Sequence, residues 1–345
     1  MRFSGSKTKV MSSAGLRKNS AFIKQAAHHL GFSHCGLAQA APVDEEFMAF
    51  YEDWLRRGCQ GDMHYLEQHL ALRRDPRLLL PGARTVISLA MSYNPGLSAT
   101  QKGIAWYAQG RDYHEVVKVR ARQLLSAILN SPTECKDPKG FKPSPSGEAA
   151  GEARICVDTA PILEKYWAWR CGLGWIGRHT QLVVPREGSA FFLAEILTTH
   201  VADAYDTPLT PAPLYAGCKG CRSCLEACPT QAISDQGMDA RRCLSYLTIE
   251  HRGELPQSVR PYLRECFYGC DRCLRACPHL SRAEATPVAD FSPSARLLAM
   301  QPQDWAHLSP EDYRSLFRGS AVKRVKYEGL TRNIAASGEN QSANT

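Results

Sequence analysis

The cysteines are the residues of this chain whose types and spacing most clearly indicate chemistry. The chain has 345 residues and fourteen cysteines, including the run Cys218-x2-Cys221-x2-Cys224-x3-Cys228, which Pro229 follows, and the run Cys270-x2-Cys273-x3-Cys277, which Pro278 follows. Both are bacterial ferredoxin spacings, in which a tight loop wraps three thiolates around one cube and the last cysteine of the run ligates the other. The spacing therefore predicts two [4Fe–4S] clusters in a ferredoxin-like module at about residues 214–280.

The second run supplies one cysteine too few, so its cluster needs a ligand from elsewhere. Cys243, in the segment RRCLSYLTIE, and Cys266 are the candidates. We assign four thiolates to each cluster and favour Cys243 over Cys266. The first cluster takes Cys218, Cys221, Cys224 and Cys277, and the second takes Cys228, Cys243, Cys270 and Cys273. Structural zinc is the alternative use of such cysteines, but a zinc site does not need two Cys-Pro endings.

Composition restricts the class of protein. The sequence has no apolar run near the length of about 18 to 20 residues that a membrane-spanning helix needs, and no export signal. We therefore expect a cytoplasmic protein without a membrane association, in which many cysteines indicate metal chemistry rather than disulfides. The formal net charge is +8, and two clusters would reduce it to roughly +4, which permits a polyanionic partner.

The elements that must position these cysteines alternate between helix and strand. Apolar spacing predicts a helix and then a strand within residues 20–38, helices at 44–57, 62–72 and 111–130, and a buried strand at 85–91. A further helix is predicted around 161–171 and a further strand at 188–199. Segment 131–153 is rich in Pro, Gly and Ser and is predicted to be an exposed loop.

The fold class expected is α+β, with an α/β-type N-terminal domain joined to a ferredoxin-like domain and a short helical tail. The expected domains are a disordered leader at 1–19, a catalytic domain at 20–205, a 2[4Fe–4S] domain at 206–290 and a helical tail at 291–345.

Several segments together resemble the epoxyqueuosine reductases, a family of cobalamin- and iron–sulfur-dependent enzymes that act on tRNA. The resemblance rests on RRDPRLLLPGARTVISLAMSY, WYAQGRDYH, VDTAPILEKYWAWRCGLGWIGRHT, GSAFFLAEILT, RRCLSYLTIEHRGELP and YGCDRCLRACP, which follow one another within residues 20–335. It implies that the chain removes the epoxide oxygen of epoxyqueuosine at the wobble position of tRNA and so completes queuosine biosynthesis. Cobalamin would carry the reaction, and the two clusters would relay electrons to it.

The resemblance assigns the role of catalytic acid to Asp158 in VDTAPILE. The sequence also suits a helix N-cap at this position, and the two roles are compatible. A proton donor at neutral pH would need a raised pKa, which we expect from desolvation beside the corrin ring. The sequence around Arg111-Asp112-Tyr113-His114 is either a contact with cofactor or substrate or a solvated helix start.

Further cobalamin contacts are implied only by the resemblance. The loop Gly172–Thr180 has glycines that would let the backbone approach a flat cofactor, and we expect base-off cobalamin with no protein histidine below the cobalt. The implied cobalamin-binding residues are Arg73, Asp158, Trp175, Ile176, Gly177, His179 and Ser245.

The partners implied are the anticodon stem-loop of tRNA and an external low-potential electron donor, and the chain is expected to be a monomer. The segment 317–340 resembles the start of a HEAT-like helical repeat, so the tRNA-facing tail is expected to be abbreviated. Its cations could contact phosphates; they are Arg314, Arg318, Lys323, Arg324, Lys326 and Arg332. Two other functions are considered: a corrinoid dehalogenase, which the missing twin-arginine leader disfavours, and a non-catalytic electron carrier, which leaves VDTAPILEK and GLGWIGRHT unexplained.

Overall fold

A computed structural model of the protein describes residues 19–130 and 153–338. The predicted leader at 1–19, apart from residue 19, and the predicted loop at 131–153, apart from residue 153, lie outside the described residues. Within the described ranges, no helix is both long and apolar enough to cross a membrane.

Helices and strands are both present, which confirms the α+β class. The helices are α1 (Ser20–His29), α2 (Glu45–Arg56), α3 (Leu70–Arg74), α4 (Tyr113–Asn130), α5 (Glu164–Arg170), α6 (Ser223–Glu226), α7 (Leu244–Ile249), α8 (Arg260–Leu263), α9 (Arg272–Arg275), α10 (Ala295–Ala299), α11 (Pro302–Ala306), α12 (Pro310–Leu316) and α13 (Lys326–Ala336). The strands are β1 (His34–Gln39), β2 (Thr85–Ser92), β3 (Ala153–Cys156), β4 (Trp175–Ile176), β5 (Leu182–Val183), β6 (Phe191–Thr198), β7 (Ile233–Ser234) and β8 (Gly237–Met238).

A four-stranded sheet with the order β1-β2-β6-β3 forms the centre of the N-terminal region, and all of its pairings are antiparallel. Every residue of β2 is buried, as its continuous apolar pattern predicts for a strand covered on both faces. One face of the sheet packs against α1 and α4 through residues such as Ile87 and Ile196. The other face packs against α2, α5 and the β4-β5 hairpin through Val86 and Leu197.

Two predicted helices differ from the observed ones. The helix predicted at 62–72 is wrong in its first half, where a single 3-10 turn at His64–Leu66 precedes α3. The helix predicted near 161 begins only at Glu164, because its N-cap Leu163 has a non-helical backbone with φ −89° and ψ 76°.

The cysteine-rich region packs against both the sheet domain and the tail, and one backbone and one side-chain contact illustrate this. Ala105 N donates a hydrogen bond to Tyr268 O at 2.8 Å. The Asn333 side-chain amide on α13 donates to the carbonyl oxygens of Thr248 and Phe267, each at 2.8 Å. Since Asn333 is fully buried, the tail is fixed to the region that carries the thiols.

Candidate functional site

The first four predicted cluster ligands lie around one cavity. Cys218, Cys221, Cys224 and Cys277 line it, together with Trp175, Arg178, His179, Val183, Pro278 and His279. The thiols of the two runs meet because two short helices pack against each other. One is α6, which lies within the first run, and the other is α9, which lies within the second run. Cys277 therefore crosses to the group formed by the first run, as the spacing predicts.

The other four predicted ligands form a second group. Burial raises the pKa of the Cys273 thiol, which is also close enough to the thiols of Cys243, Cys270 and Cys228 for their charges to raise it further. Cys243 directly precedes α7, and its position there brings its thiol into the group. Cys266 lies at the edge of this group, next to Cys270, and its thiol donates to the carbonyl oxygen of Tyr262 at 3.1 Å. Four thiolates each are a donor set that suits a [4Fe–4S] cube, so both groups fit the predicted clusters.

Asp158 lies at the centre of a separate set of ionisable side chains. Its Oδ2 is 2.9 Å from His114 Nε2, and His114 Nδ1 is 2.7 Å from Asp112 Oδ1. Tyr113, at the start of α4, also hydrogen-bonds to the Asp158 carboxylate. The Asp158 side chain is 54% exposed, so one edge of the carboxylate is held by the protein and the other is open.

The neighbouring charges lower the pKa of Asp158 rather than raise it. Burial of Asp158 raises its pKa, but the hydrogen bond and charge of His114 outweigh that effect and hold the pKa below its ordinary value. Burial of His114 lowers its pKa, but the two carboxylates outweigh that effect and raise it to about 9. At neutral pH the proton therefore resides on His114. The protein residues by themselves do not raise the pKa of Asp158, and the effect of a corrin ring beside it stays a prediction.

The backbone at Asp158 is held by the residue that starts α5. The Asp158 N–H donates to Glu164 Oε1 at 2.6 Å, which stabilises a left-handed conformation that normally costs about 1 to 3 kcal/mol in a non-glycine residue. The N-cap of α5 is Leu163, which makes no side-chain cap bond. The N-cap interpretation of Asp158 is therefore wrong.

Two further polar side chains, Tyr65 and Lys165, interact electrostatically with Asp158. Tyr65, whose residue surface is 46% exposed, lies within electrostatic range of Asp158. So does Lys165, which forms no ion pair within the described ranges. Lys165 also interacts with His179, which lines the first thiol cavity. Lys165 therefore interacts with groups on both sides, the acid Asp158 and the first thiol cavity.

The structure places the other predicted cofactor contacts at several positions around this region. Trp175 and His179 are buried at the first thiol cavity, and burial lowers the pKa of His179 to about 4, so its ring is neutral. The buried Trp175 Nε1 has no hydrogen-bond partner among the described residues. Ile176 is buried in β4, and Ser245 is half-buried in α7. These residues are not brought into direct contact with Asp158.

Two of the predicted contacts have a role within the protein. Arg73 is buried and donates to the carbonyl oxygens of Tyr65 at 3.1 Å and Gln68 at 3.3 Å, so it braces the segment that carries Tyr65. A Cβ added at Gly177 would lie 2.7 Å from Val183 Cγ2, and one at Gly174 2.1 Å from Val183 O. The packing of the β4-β5 hairpin therefore favours glycine at both positions, and the cofactor contact at Gly177 stays a prediction.

Comparison with known proteins gives consistent results across the chain. Residues 73–159 match the family model described as epoxyqueuosine reductase QueG, DUF1730, and residues 217–279 match a 4Fe-4S double cluster binding domain. The chain is 38% identical over 323 residues to the epoxyqueuosine reductase of Cellulophaga algicola, covering 92% of this chain and 97% of that one. It is 35% identical over 323 residues to the Escherichia coli enzyme of that name, covering 91% and 79%.

Solved structures show the same fold. The structure of epoxyqueuosine reductase from Streptococcus thermophilus superposes with a TM-score of 0.76 at 25% identity, covering 93% of this chain and 81% of that chain. An epoxyqueuosine reductase bound to an epoxyqueuosine-modified tRNA stem loop superposes with a TM-score of 0.77 at 22% identity, covering 93% and 80%.

Proposed function

Because this chain belongs to the epoxyqueuosine reductase family, we propose that it removes the epoxide oxygen of epoxyqueuosine in tRNA and so forms queuosine. The basis for the family is identity of 35 to 38% along nearly the whole chain. The observation that carries the reaction is the open carboxylate of Asp158, which is hydrogen-bonded to a protonated histidine.

The cofactors are cobalamin and two [4Fe–4S] clusters, as in the family. The eight thiolates would hold the clusters in the two groups described above, and the cobalamin would bind on the exposed side of Asp158. When bound, these groups supply a nucleophilic metal centre and electrons delivered one at a time.

Asp158 acts in this proposal as the acid that protonates the epoxide oxygen. His114 Nε2 lies 2.9 Å from Asp158 Oδ2, so its proton can pass to the carboxylate, and Asp158 then gives that proton to the substrate and returns to the ionised form. Asp112 holds the ring of His114 through Nδ1 and stabilises its positive charge. A positioned general acid of this kind contributes typically 10² to 10⁴-fold to a rate.

Removal of the oxygen as water consumes two electrons and two protons per turnover. An external low-potential electron donor must therefore reduce the clusters.

We also propose that the chain works as a monomer in the cytoplasm, where its tRNA substrate is found. The tRNA-bound relative supports the substrate class.

The test is an anaerobic assay with the protein loaded with both clusters and cobalamin. The loaded protein is given a low-potential reductant and tRNA that contains epoxyqueuosine, and the nucleosides are then analysed. We expect queuosine in an amount that rises with time and depends on cobalamin. No queuosine from fully loaded protein would contradict the proposed function.

A further inference from the structure

A second acidic site lies behind Asp158, at the centre of the sheet. Glu195 on β6 is fully buried, and its Oε1 accepts a hydrogen bond from Ser88 Oγ at 3.2 Å. Its Oε2 is also buried and has no hydrogen-bond partner among the residues that the structure describes. A buried carboxyl without a full set of partners costs more than an apolar residue of its size, so packing alone does not explain Glu195.

The surroundings of Glu195 keep it in its neutral form. The titratable groups that face it are Glu164 on α5, Cys156 on β3 and Cys171 directly after α5. None of them is a cation, and burial together with the neighbouring Glu164 raises the pKa of Glu195 well above its ordinary value. Glu195 therefore carries a proton at neutral pH.

Glu164 connects this buried acid to Asp158. Its Oε1 accepts the Asp158 N–H at 2.6 Å, while burial and then the charge of Asp158 raise the pKa of Glu164 to about 8. Lys165 and His114 are the cations that face it and oppose this rise. A protonated carboxyl can accept through one oxygen and donate through the other, so Glu164 can hold Asp158 in place and still carry a transferable proton.

We propose that Glu164 and Glu195 form a proton-storing carboxyl pair that supplies the second proton of each turnover to Asp158. This inference rests on the proposed function, because that reaction consumes two protons while the Asp158–His114 pair holds one. After Asp158 has protonated the leaving oxygen, the Glu164 O–H bond breaks and its proton passes to the Asp158 carboxylate. Glu195 then returns a proton to Glu164 through an intervening water, and solvent reloads the pair.

Both glutamates are positioning residues in this scheme, since neither touches the reacting atoms. The alternative is that Glu195 is only a structural element of the core, hydrogen-bonded to Ser88. The two explanations differ in pH dependence and in proton-transfer kinetics, because a structural role changes neither.

The test compares Glu195→Gln and Glu164→Gln with the loaded wild-type enzyme. We expect Glu195→Gln to lower kcat about tenfold or more, to leave KM for the RNA unchanged and to increase the solvent deuterium isotope effect on kcat. We expect Glu164→Gln to remove the fall of the wild-type rate near pH 8. Thr85→Val is the matched control, because it deletes a buried hydrogen bond of β2 to the carbonyl oxygen of His200 and should change neither the isotope effect nor the pH profile.

Infrared spectroscopy of the resting enzyme gives a readout that does not depend on turnover. We expect protonated-carboxyl carbonyl absorption at neutral pH from both glutamates, so Glu195→Gln should remove one part of it and Glu164→Gln another. Unchanged absorption in Glu195→Gln, or a wild-type isotope effect in that variant, would overturn the proposal. If Glu195→Gln does not fold, an unchanged pH profile in Glu164→Gln overturns it instead. If wild-type enzyme makes no queuosine, the proposed function fails, while the infrared band still decides whether Glu195 stores a proton.

Discussion

His114 Nε2 and Asp158 Oδ2 lie 2.9 Å apart, although 44 positions separate the two residues in the chain. Neither side chain has the properties of an isolated residue, because each shifts the pKa of the other away from neutrality. The pair therefore holds one proton on the histidine across the neutral range, ready to be moved to the carboxylate.

Replacement of Asp158 by asparagine tests its role as the acid. We expect Asp158→Asn to lose about 10² to 10⁴-fold in kcat and to bind cobalamin as the wild type does, since the amide keeps the size of the carboxyl. Turnover and cobalamin absorbance are measured on the same preparations. Asp53→Asn is the control, because Asp53 forms surface ion pairs with Arg56 and Arg57. A wild-type rate in Asp158→Asn would assign Asp158 a purely structural role.

Replacement of His114 by glutamine tests the source of the first proton. The wild-type rate should fall near pH 9, where His114 loses its proton, and this fall should be absent in His114→Gln. We also expect a lower kcat by about 10²-fold at pH 7. The pH–rate profile of each enzyme is the measurement. A fall near pH 9 that persists in the variant would show that another group supplies the proton.

The same histidine should make stability depend on pH. Its pKa is raised from 6.5 to about 9, so its contribution is full below pH 6.5 and is lost as the pH rises through 9. At pH 6 we expect His114→Gln to cost about 1 to 2 kcal/mol, because solvent at the half-exposed Asp158 screens the pair. The unfolding temperatures of the loaded proteins should differ by a few degrees at pH 6 and converge above pH 9. A difference that is constant with pH would contradict this expectation.

Single cysteine variants test whether Cys243 or Cys266 is the fourth ligand of the second cluster. We expect Cys243→Ser to lose up to about half of the bound iron, since it would remove one of four thiolates from one of two cubes. Cys266→Ser should retain all of it, although both thiols lie beside Cys270. Iron analysis and electron paramagnetic resonance of the reduced proteins measure the outcome. Iron loss in Cys266→Ser with full retention in Cys243→Ser would reverse the assignment.

The cations of the tail differ in how available they are for RNA. Arg324 pairs with Glu250, Arg314 pairs with Glu311, and Arg332 donates to backbone carbonyl oxygens. Arg318 and Lys326 are exposed and form no ion pair within the described ranges.

Because Arg318 and Lys326 are free to contact phosphate, the double variant Arg318→Ala/Lys326→Ala should weaken tRNA binding. It should also reduce the slope of log affinity against log salt by about 0.7 to 0.9 per lost contact. Filter binding at several salt concentrations measures this. Arg314→Ala, which removes an already paired cation, should leave the slope nearly unchanged. Equal slopes in the double variant and the wild type would exclude these cations from the interface.

The sequence predicts most of the secondary structure of the sheet domain because local patterns suffice for it. β2 was predicted at 85–91 and spans Thr85–Ser92, and α4 was predicted at 111–130 and spans Tyr113–Asn130. The prediction is least accurate at 62–72 and 158–163, where the backbone follows contacts with distant residues. The Asp62 backbone N–H, for example, donates a hydrogen bond to the hydroxyl oxygen of Tyr246, 184 positions away.

The two clusters could be predicted from the sequence alone, because ligand spacing in a short loop is a local property. The family could be predicted too, because a family resemblance is a property of the whole sequence. The tertiary structure alone decided that His114, Asp112 and Glu164 surround Asp158, and that Val183 packs closely against Gly177. The pKa of a carboxyl depends on the charges within a few ångströms of it. For Asp158 the charged neighbours are His114 on α4 and Arg324 in the tail, which only the folded chain brings close to it.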